Sequence, residues 1–317
     1  MTHSIVESKI FTQNIYNNFG DMKGLILAVL AIFACSQIFG QSYQIGNVTM
    51  TLIDSSRNNR AVPCEIYYPA DAAGENVSFS KTLKSKVPAI SFGHGFVMKW
   101  DAYQNIWEAV VPNGYIVAFP TTESSFSPSH GELGKDLSFI LKKLLVLGNT
   151  PGSIFYNKVD TMNCVMGHSM GGGSAFIAAA NDPGIKAIAT LAAAETKPSA
   201  ITAAKNIKVP ALVFAGLNDC ITPAKTNQLP MYDGLSSKSK HYIGIKGGSH
   251  CLMADKSFTC SFGEGTCKPK PEITKEEQHR IINRYLVPWL DYHLKHSDAA
   301  GLLFDKSKEA DNAIIYQ

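Results

Sequence analysis

The stretch VMGHSMGGGSAF, residues 165–176, sets one serine, Ser169, among four glycines where an apolar run gives way to small residues. Glycine loses more backbone freedom on folding than any other residue, so a cluster of them signals a geometric need. Residues 161–169, TMNCVMGHS, read as a strand running into Ser169. Residues 170–181, MGGGSAFIAAAN, read as a small-residue helix closed near Asp182-Pro183-Gly184. Gly167-His168-Ser169-Met170-Gly171 therefore fits G-x-S-x-G between a strand and a helix, the setting of a nucleophile elbow. The serine must then stand on a tight turn, and the positions two before and two after it must be tiny. Its hydroxyl meets the amino end of a helix, where negative charge is favoured. The plain alternative is a glycine-rich turn that only packs a helix closely against a strand.

Upstream, VTMTLID and VPCEIYYP read as two early strands joined through SSRNNRA. VPAISFGHG, residues 87–95, reads as a buried strand ending in glycines, and DAYQNIWEAVVPNG as a helix closed by Asn113-Gly114. YIVAFPTT is the next strand. Leu133, Leu137, Ile140, Leu141, Leu144 and Leu145 then recur at helical spacing. Downstream, IKAIATLAA and PALVFAGLND are continuous apolar strands of the kind buried on both faces. HYIGIKGGSH is the last predicted strand. A final helix over roughly 274–296 opens with Thr274 three residues before Glu277, a capping-box pattern. The stretch after His296 is expected to lie loosely on the surface. Alternating strands and helices from residue 87 onward predict an α/β fold. Its sheet should be mostly parallel and twisted, with helices on both faces. There is no internal repeat, no low-complexity linker and no large cap insertion, so residues 42–317 read as a single domain.

The chain has 317 residues, 45% of them hydrophobic, and a formal net charge of +3 with no long basic run. Nucleic acid is thus not an expected partner, since binding there leans on clustered Lys and Arg. Residues 22–41, MKGLILAVLAIFACSQIFGQ, have the anatomy of a secretory signal, and their apolar run is short for a membrane span. Residues 1–21 are polar and patternless, and read as an upstream extension with translation starting at Met22. The expected product is secreted or periplasmic, with no stable membrane span once the signal is removed. A second reading anchors a lipoprotein at Cys35. Beyond Cys35 six cysteines remain, an even number that favours disulfides in an exported chain. No paired C-x-x-C spacing supports a zinc site.

A serine hydroxyl needs a base to become a nucleophile. At an elbow of this kind the partners follow in the order Ser, acid, His, each just after a strand. ALVFAGLND ends in Asp219 and HYIGIKGGSH ends in His250, so both placements and the order are met. His250 would take the Ser169 proton and Asp219 would hold the imidazole. Taken singly, Asp219 is also a common turn acid before Thr222-Pro223, and His250 an ordinary surface histidine. His168, beside the serine, is read as a pocket-wall residue contacting substrate. For the oxyanion, one backbone N–H is expected from Met170 and the other from Phe96, in the loop Gly93-His94-Gly95-Phe96. Cys220 follows Asp219 and Cys251 follows His250, so a bridge between them would tie the two loops together. Cys260 and Cys267 would then close a small local loop, leaving Cys64 and Cys164 as core thiols. No cofactor or metal is needed, because the protein supplies base, nucleophile and oxyanion donors.

MGHSMGGGSAF, VPALVFAGLNDCITP, QLPMYD and IKGGSH together resemble the bacterial cutinase and polyester-hydrolase group of the α/β-hydrolases. Chlorophyllase-like and dienelactone-hydrolase-like members are more distant. The resemblance covers roughly residues 45–296. It implies a secreted carboxylesterase using Ser169, Asp219 and His250, with Phe96 also part of an aromatic substrate wall. The implied partner is an ester, small or polymeric; the sequence itself gives no oligomeric state, and a monomer is the default expectation. A peptidase, a thioesterase, or a non-catalytic binding protein on the same scaffold are the competing readings. Two departures bear on polyester specificity. The loop AAAETKPSAIT lacks the tryptophan usual in the group, and CLMADKSFTCSFGEGTCKPKPEIT after the histidine is longer than usual.

Overall fold

The computed structural model describes residues 42–256, 258–309 and 311–317; the expected signal, the upstream extension and Cys35 lie outside them. In chain order the strands are β1 (Gln44–Asp54), β2 (Arg60–Ala70), β3 (Gly74–Glu75), β4 (Val87–Gly93), β5 (Ile116–Pro120), β6 (Val159–His168), β7 (Ala187–Leu191), β8 (Ala211–Gly216), β9 (Lys240–Ile245) and β10 (Ile314–Tyr316). They form one sheet in the order β10-β9-β8-β7-β6-β4-β5-β2-β1-β3. The run β5-β4-β6-β7-β8-β9 is parallel. β1 and β2 add antiparallel strands at one side, and β10 pairs antiparallel with β9 at the other.

The helices are α1 (Gln104–Val110), α2 (His130–Gly148), α3 (Met170–Asn181), α4 (Ala200–Ala204), α5 (Gln228–Gly234), α6 (Phe258–Glu264), α7 (Lys275–Lys295) and α8 (Asp298–Glu309). Side chains alternate across a strand, so β6 sends Val165 to one apolar cluster and Cys164 and Met166 to the other. Leu137, Phe176, Ala200 and Met231 bring α2 to α5 onto the first face. Trp107, Trp289 and Phe304 bring α1, α7 and α8 onto the second. That double burial is why the central strands read as unbroken apolar runs. The unit Tyr43–Gln317 holds both clusters. Among the described residues, no helix is long and apolar enough to cross a membrane.

Local signals are used as read. The Thr274 hydroxyl accepts from the Glu277 N–H (3.2 Å) at the start of α7, and Gly114 closes the turn after α1 at φ 82°. α7 continues across Pro288. The expectation for the tail is overturned. After His296 the chain forms α8, which buries Phe304, and then β10, which extends the sheet. The edge of β9 offered unpaired backbone groups, and the tail supplies their partners.

Candidate active site

Ser169 sits between β6 and α3 at φ 55°, ψ −123°, a conformation that L-residues rarely adopt. The turn is held by its own backbone: Ser169 N–H donates to the Leu191 carbonyl (3.0 Å), and its carbonyl accepts from Ala194 N–H (2.9 Å). A Cβ at Gly167 would stand 2.3 Å from the Gly171 carbonyl oxygen, and one at Gly171 would stand 2.1 Å from that of Gly93. The glycines at these two positions are therefore a steric requirement. The second contact also shows how closely the start of α3 lies against the loop after β4.

The three side chains expected to meet do so. His250 Nδ1–H donates to Asp219 Oδ2 at 2.8 Å, and the Ser169 hydroxyl donates to His250 Nε2 at 2.9 Å. Ser169 keeps 9% exposure, while His250 is 2% exposed. Asp219 follows β8 and His250 follows β9, so two neighbouring parallel strands deliver both loops to the sheet's carboxyl end. Burial alone would raise the Asp219 carboxyl. The hydrogen bond and charge of His250, with help from Thr222, outweigh it and hold the group below the usual carboxylate range. Asp219 is also the turn acid its sequence suggested: Oδ1 accepts from the N–H groups of Ile221 (2.8 Å) and Thr222 (2.8 Å). The turn thereby orients the carboxylate toward the imidazole. Thr222 adds its hydroxyl, which donates to Asp219 Oδ2 at 2.8 Å.

His168 is not a wall of the pocket. It is fully buried, 0% exposed, beneath the elbow. Its Nε2–H donates to the His250 carbonyl (3.2 Å), which leaves Nδ1 to accept from the Tyr103 hydroxyl (3.0 Å). That hydroxyl in turn accepts from Gly95 N–H at 2.7 Å. Burial, and next the proximity of His250, push the His168 imidazole well below its ordinary range, so it is neutral, as this bonding pattern requires. A histidine one residue before the nucleophile ends the strand with its side chain pointing away from the serine's, which the period of two dictates.

Phe96 follows Gly95 and is 47% exposed, edge-on to Phe126 with ring centroids 6.3 Å apart. Met170 is the first residue of α3 and is 3% exposed. Helix-initial N–H groups lack intrahelical partners, and the Met170 N–H is one of them.

The cysteine pairing differs from expectation. Cys220 bonds to Cys267, and Cys251 to Cys260, with Cα separations of 5.5 and 5.6 Å. Neither the direct Cys220–Cys251 bridge nor the local Cys260–Cys267 loop forms. Cys260 lies within α6 and Cys267 beyond its end, so the intervening helix carries them to different neighbours. Cys64 and Cys164 are free and buried, as expected. Sequence reasoning missed Thr222, Tyr103 and Glu264. Only Thr222 left a signal, as part of the turn following Asp219.

Residues 40–263 match the family described as "PETase: PET hydrolase-like". The chain is similar to Cutinase 2 of Thermobifida cellulosilytica, 24% identical over 225 residues, covering 70% of this chain and 74% of that one. It is similar to Cutinase cut1 of Thermobifida fusca, also 24% identical over 225 residues, covering 70% of this chain and 61% of that one. Cutinase 1 of Thermobifida cellulosilytica is 26% identical over 227 residues, 71% of each chain. With its sheet order, its serine elbow and a match over most of its length, this chain belongs to the PET hydrolase-like family of α/β-hydrolases.

Proposed function

We propose that the protein is an exported serine hydrolase that cleaves carboxylic esters through an acyl-enzyme intermediate. The observation that carries this is the continuous hydrogen-bond line from Asp219 through His250 to Ser169, 2.8 and 2.9 Å long in its two links. His250 takes the Ser169 proton as Oγ attacks the ester carbonyl carbon, and Asp219 stabilises the imidazolium that forms. The N–H groups of Met170 and Phe96 receive the developing oxyanion. The tight approach of Gly171 to the Gly93 carbonyl supports this, since it brings the two donor segments together. His250 then gives its proton to the departing alcohol, and water repeats the cycle on the acyl-serine.

The relatives carry the name cutinase, and the family name refers to PET hydrolysis. Those names favour polyesters among ester substrates, and the exposed Phe96–Phe126 pair, whose Phe96 follows Gly95 in the loop after β4, favours an apolar acyl or alcohol portion. Two disulfides beside the site favour an oxidising compartment, in line with export behind residues 22–41.

A fluorophosphonate should label Ser169, and Ser169→Ala should lose at least ~10³-fold in turnover of a short-chain p-nitrophenyl ester, because nucleophile and base act as a unit. Equal turnover by the parent and Ser169→Ala would defeat the proposal. Films of aliphatic and aromatic polyester, run beside soluble esters, separate a polymer degrader from a small-ester hydrolase.

A further inference from the structure

The excursion between His250 and α7 is tied to the site at three points. Cys251, adjacent to His250, is bonded to Cys260, and Cys267 is bonded to Cys220, adjacent to Asp219. Between those two half-cystines lies Glu264, at the end of α6 and only 7% exposed. Its Oε1 accepts from the backbone N–H of His250 (2.8 Å) and of Cys251 (3.2 Å). Burial of apolar surface does not explain the seating of this helix, because Phe258 and Phe262 are 88% and 78% exposed. The carboxyl and the disulfides face inward, and the aromatic rings face out.

The backbone of His250 needs such an acceptor. His250 precedes the 3-10 turn Cys251–Met253. N–H groups at the start of a helical turn have no partner within it, and these two are buried. Glu264 satisfies both from more than a dozen residues downstream. The opposite side of the same residue is held by His168, whose Nε2–H donates to the His250 carbonyl at 3.2 Å. A side chain from the excursion and one from β6 thus clamp the peptide that carries the imidazole.

We infer that Glu264 is a positioning residue for the proposed base: it fixes the His250 main chain so that Nε2 stays in line with the Ser169 hydroxyl. This rests on the hydrolase reading above. The disulfide-bonded excursion serves to present that carboxyl oxygen, and its required property is the reach of an acceptor atom, not a titrating charge.

Three variants and two readouts test it. Glu264→Ala removes the acceptor, Glu264→Asp withdraws it by one methylene, and Glu264→Gln keeps an oxygen at the same reach. With a soluble p-nitrophenyl ester, Ala and Asp should lower kcat by roughly 10- to 100-fold with KM within about twofold, the scale expected of a misplacement near 1 Å. Gln should remain within about threefold of the parent. In proton NMR, the low-field His250 Nδ1–H resonance should shift or broaden in Ala and Asp and persist in Gln. Parent-like kcat in Glu264→Ala, or a Gln variant as impaired as Ala, overturns the inference. Should the parent itself lack turnover, the hydrolase reading fails, and the NMR comparison still decides: an unchanged resonance in Glu264→Ala and Glu264→Asp removes the positioning role.

Discussion

Replacing Tyr103 with phenylalanine removes a single oxygen atom and breaks two buried links at once. The residue is 0% exposed; its hydroxyl accepts from Gly95 N–H at 2.7 Å and donates to His168 Nδ1 at 3.0 Å. His168 is also 0% exposed and neutral, so its Nδ1 lone pair has no solvent to turn to. In Tyr103→Phe both the amide and the imidazole nitrogen stay buried without a partner. Each orphaned group costs about 1–3 kcal/mol, partly offset because the variant no longer has a hydroxyl to desolvate. A net loss of about 3 kcal/mol is expected. For a domain of this size that corresponds to a fall in Tm of roughly 6–12 °C. Scanning calorimetry at pH 8 measures it directly. The same change loosens Gly95, next to the proposed donor Phe96, so kcat should fall with little change in KM. A Tm within 2 °C of the parent would refute the reasoning, since it would mean that the Gly95–Tyr103–His168 chain carries no net stabilisation.

Acid should destabilise the fold before carboxylates are titrated. Burial, and for His241 also Lys308, push His241 and His293 down to about 4, and His168 and His279 shift in the same direction. The unfolded chain takes up these protons near pH 6.5 while the native state refuses them, so stability rises with pH through this window. It is complete above about pH 6.5 and is lost on acidification toward the native values. A Tm at pH 5 equal to or above that at pH 8 would contradict this. Non-reducing peptide mapping should recover Cys220 joined to Cys267 and Cys251 joined to Cys260; a Cys220–Cys251 peptide would contradict the structure. Cys64 and Cys164, buried with thiols raised by desolvation, should resist a thiol reagent in the native state and react in denaturant. Rapid native labelling of either would place it outside the core.

What the sequence determined by itself was whatever depends on local spacing. The elbow at Ser169 was legible because two glycines flank it where a strand must turn directly into a helix, and a Cβ on either would stand only 2.1 or 2.3 Å from a backbone oxygen. Asp219 and His250 were legible because parallel strands end together, so a residue just after each apolar run arrives at one edge. The sheet's layering followed from strands apolar on both faces. The tertiary structure alone decided which distant groups meet. Strand alternation turns His168 away from Ser169, but nothing around it announced that its partner there is Tyr103, 65 residues away. The tail read as loose because β10 is only three residues long and gains its stability from pairing with β9. The disulfides crossed otherwise than expected, and Glu264 was invisible, for one reason. Both depend on how a short helix lies between two loops, and the packing of a segment that buries little apolar surface leaves no periodic trace in its own residues.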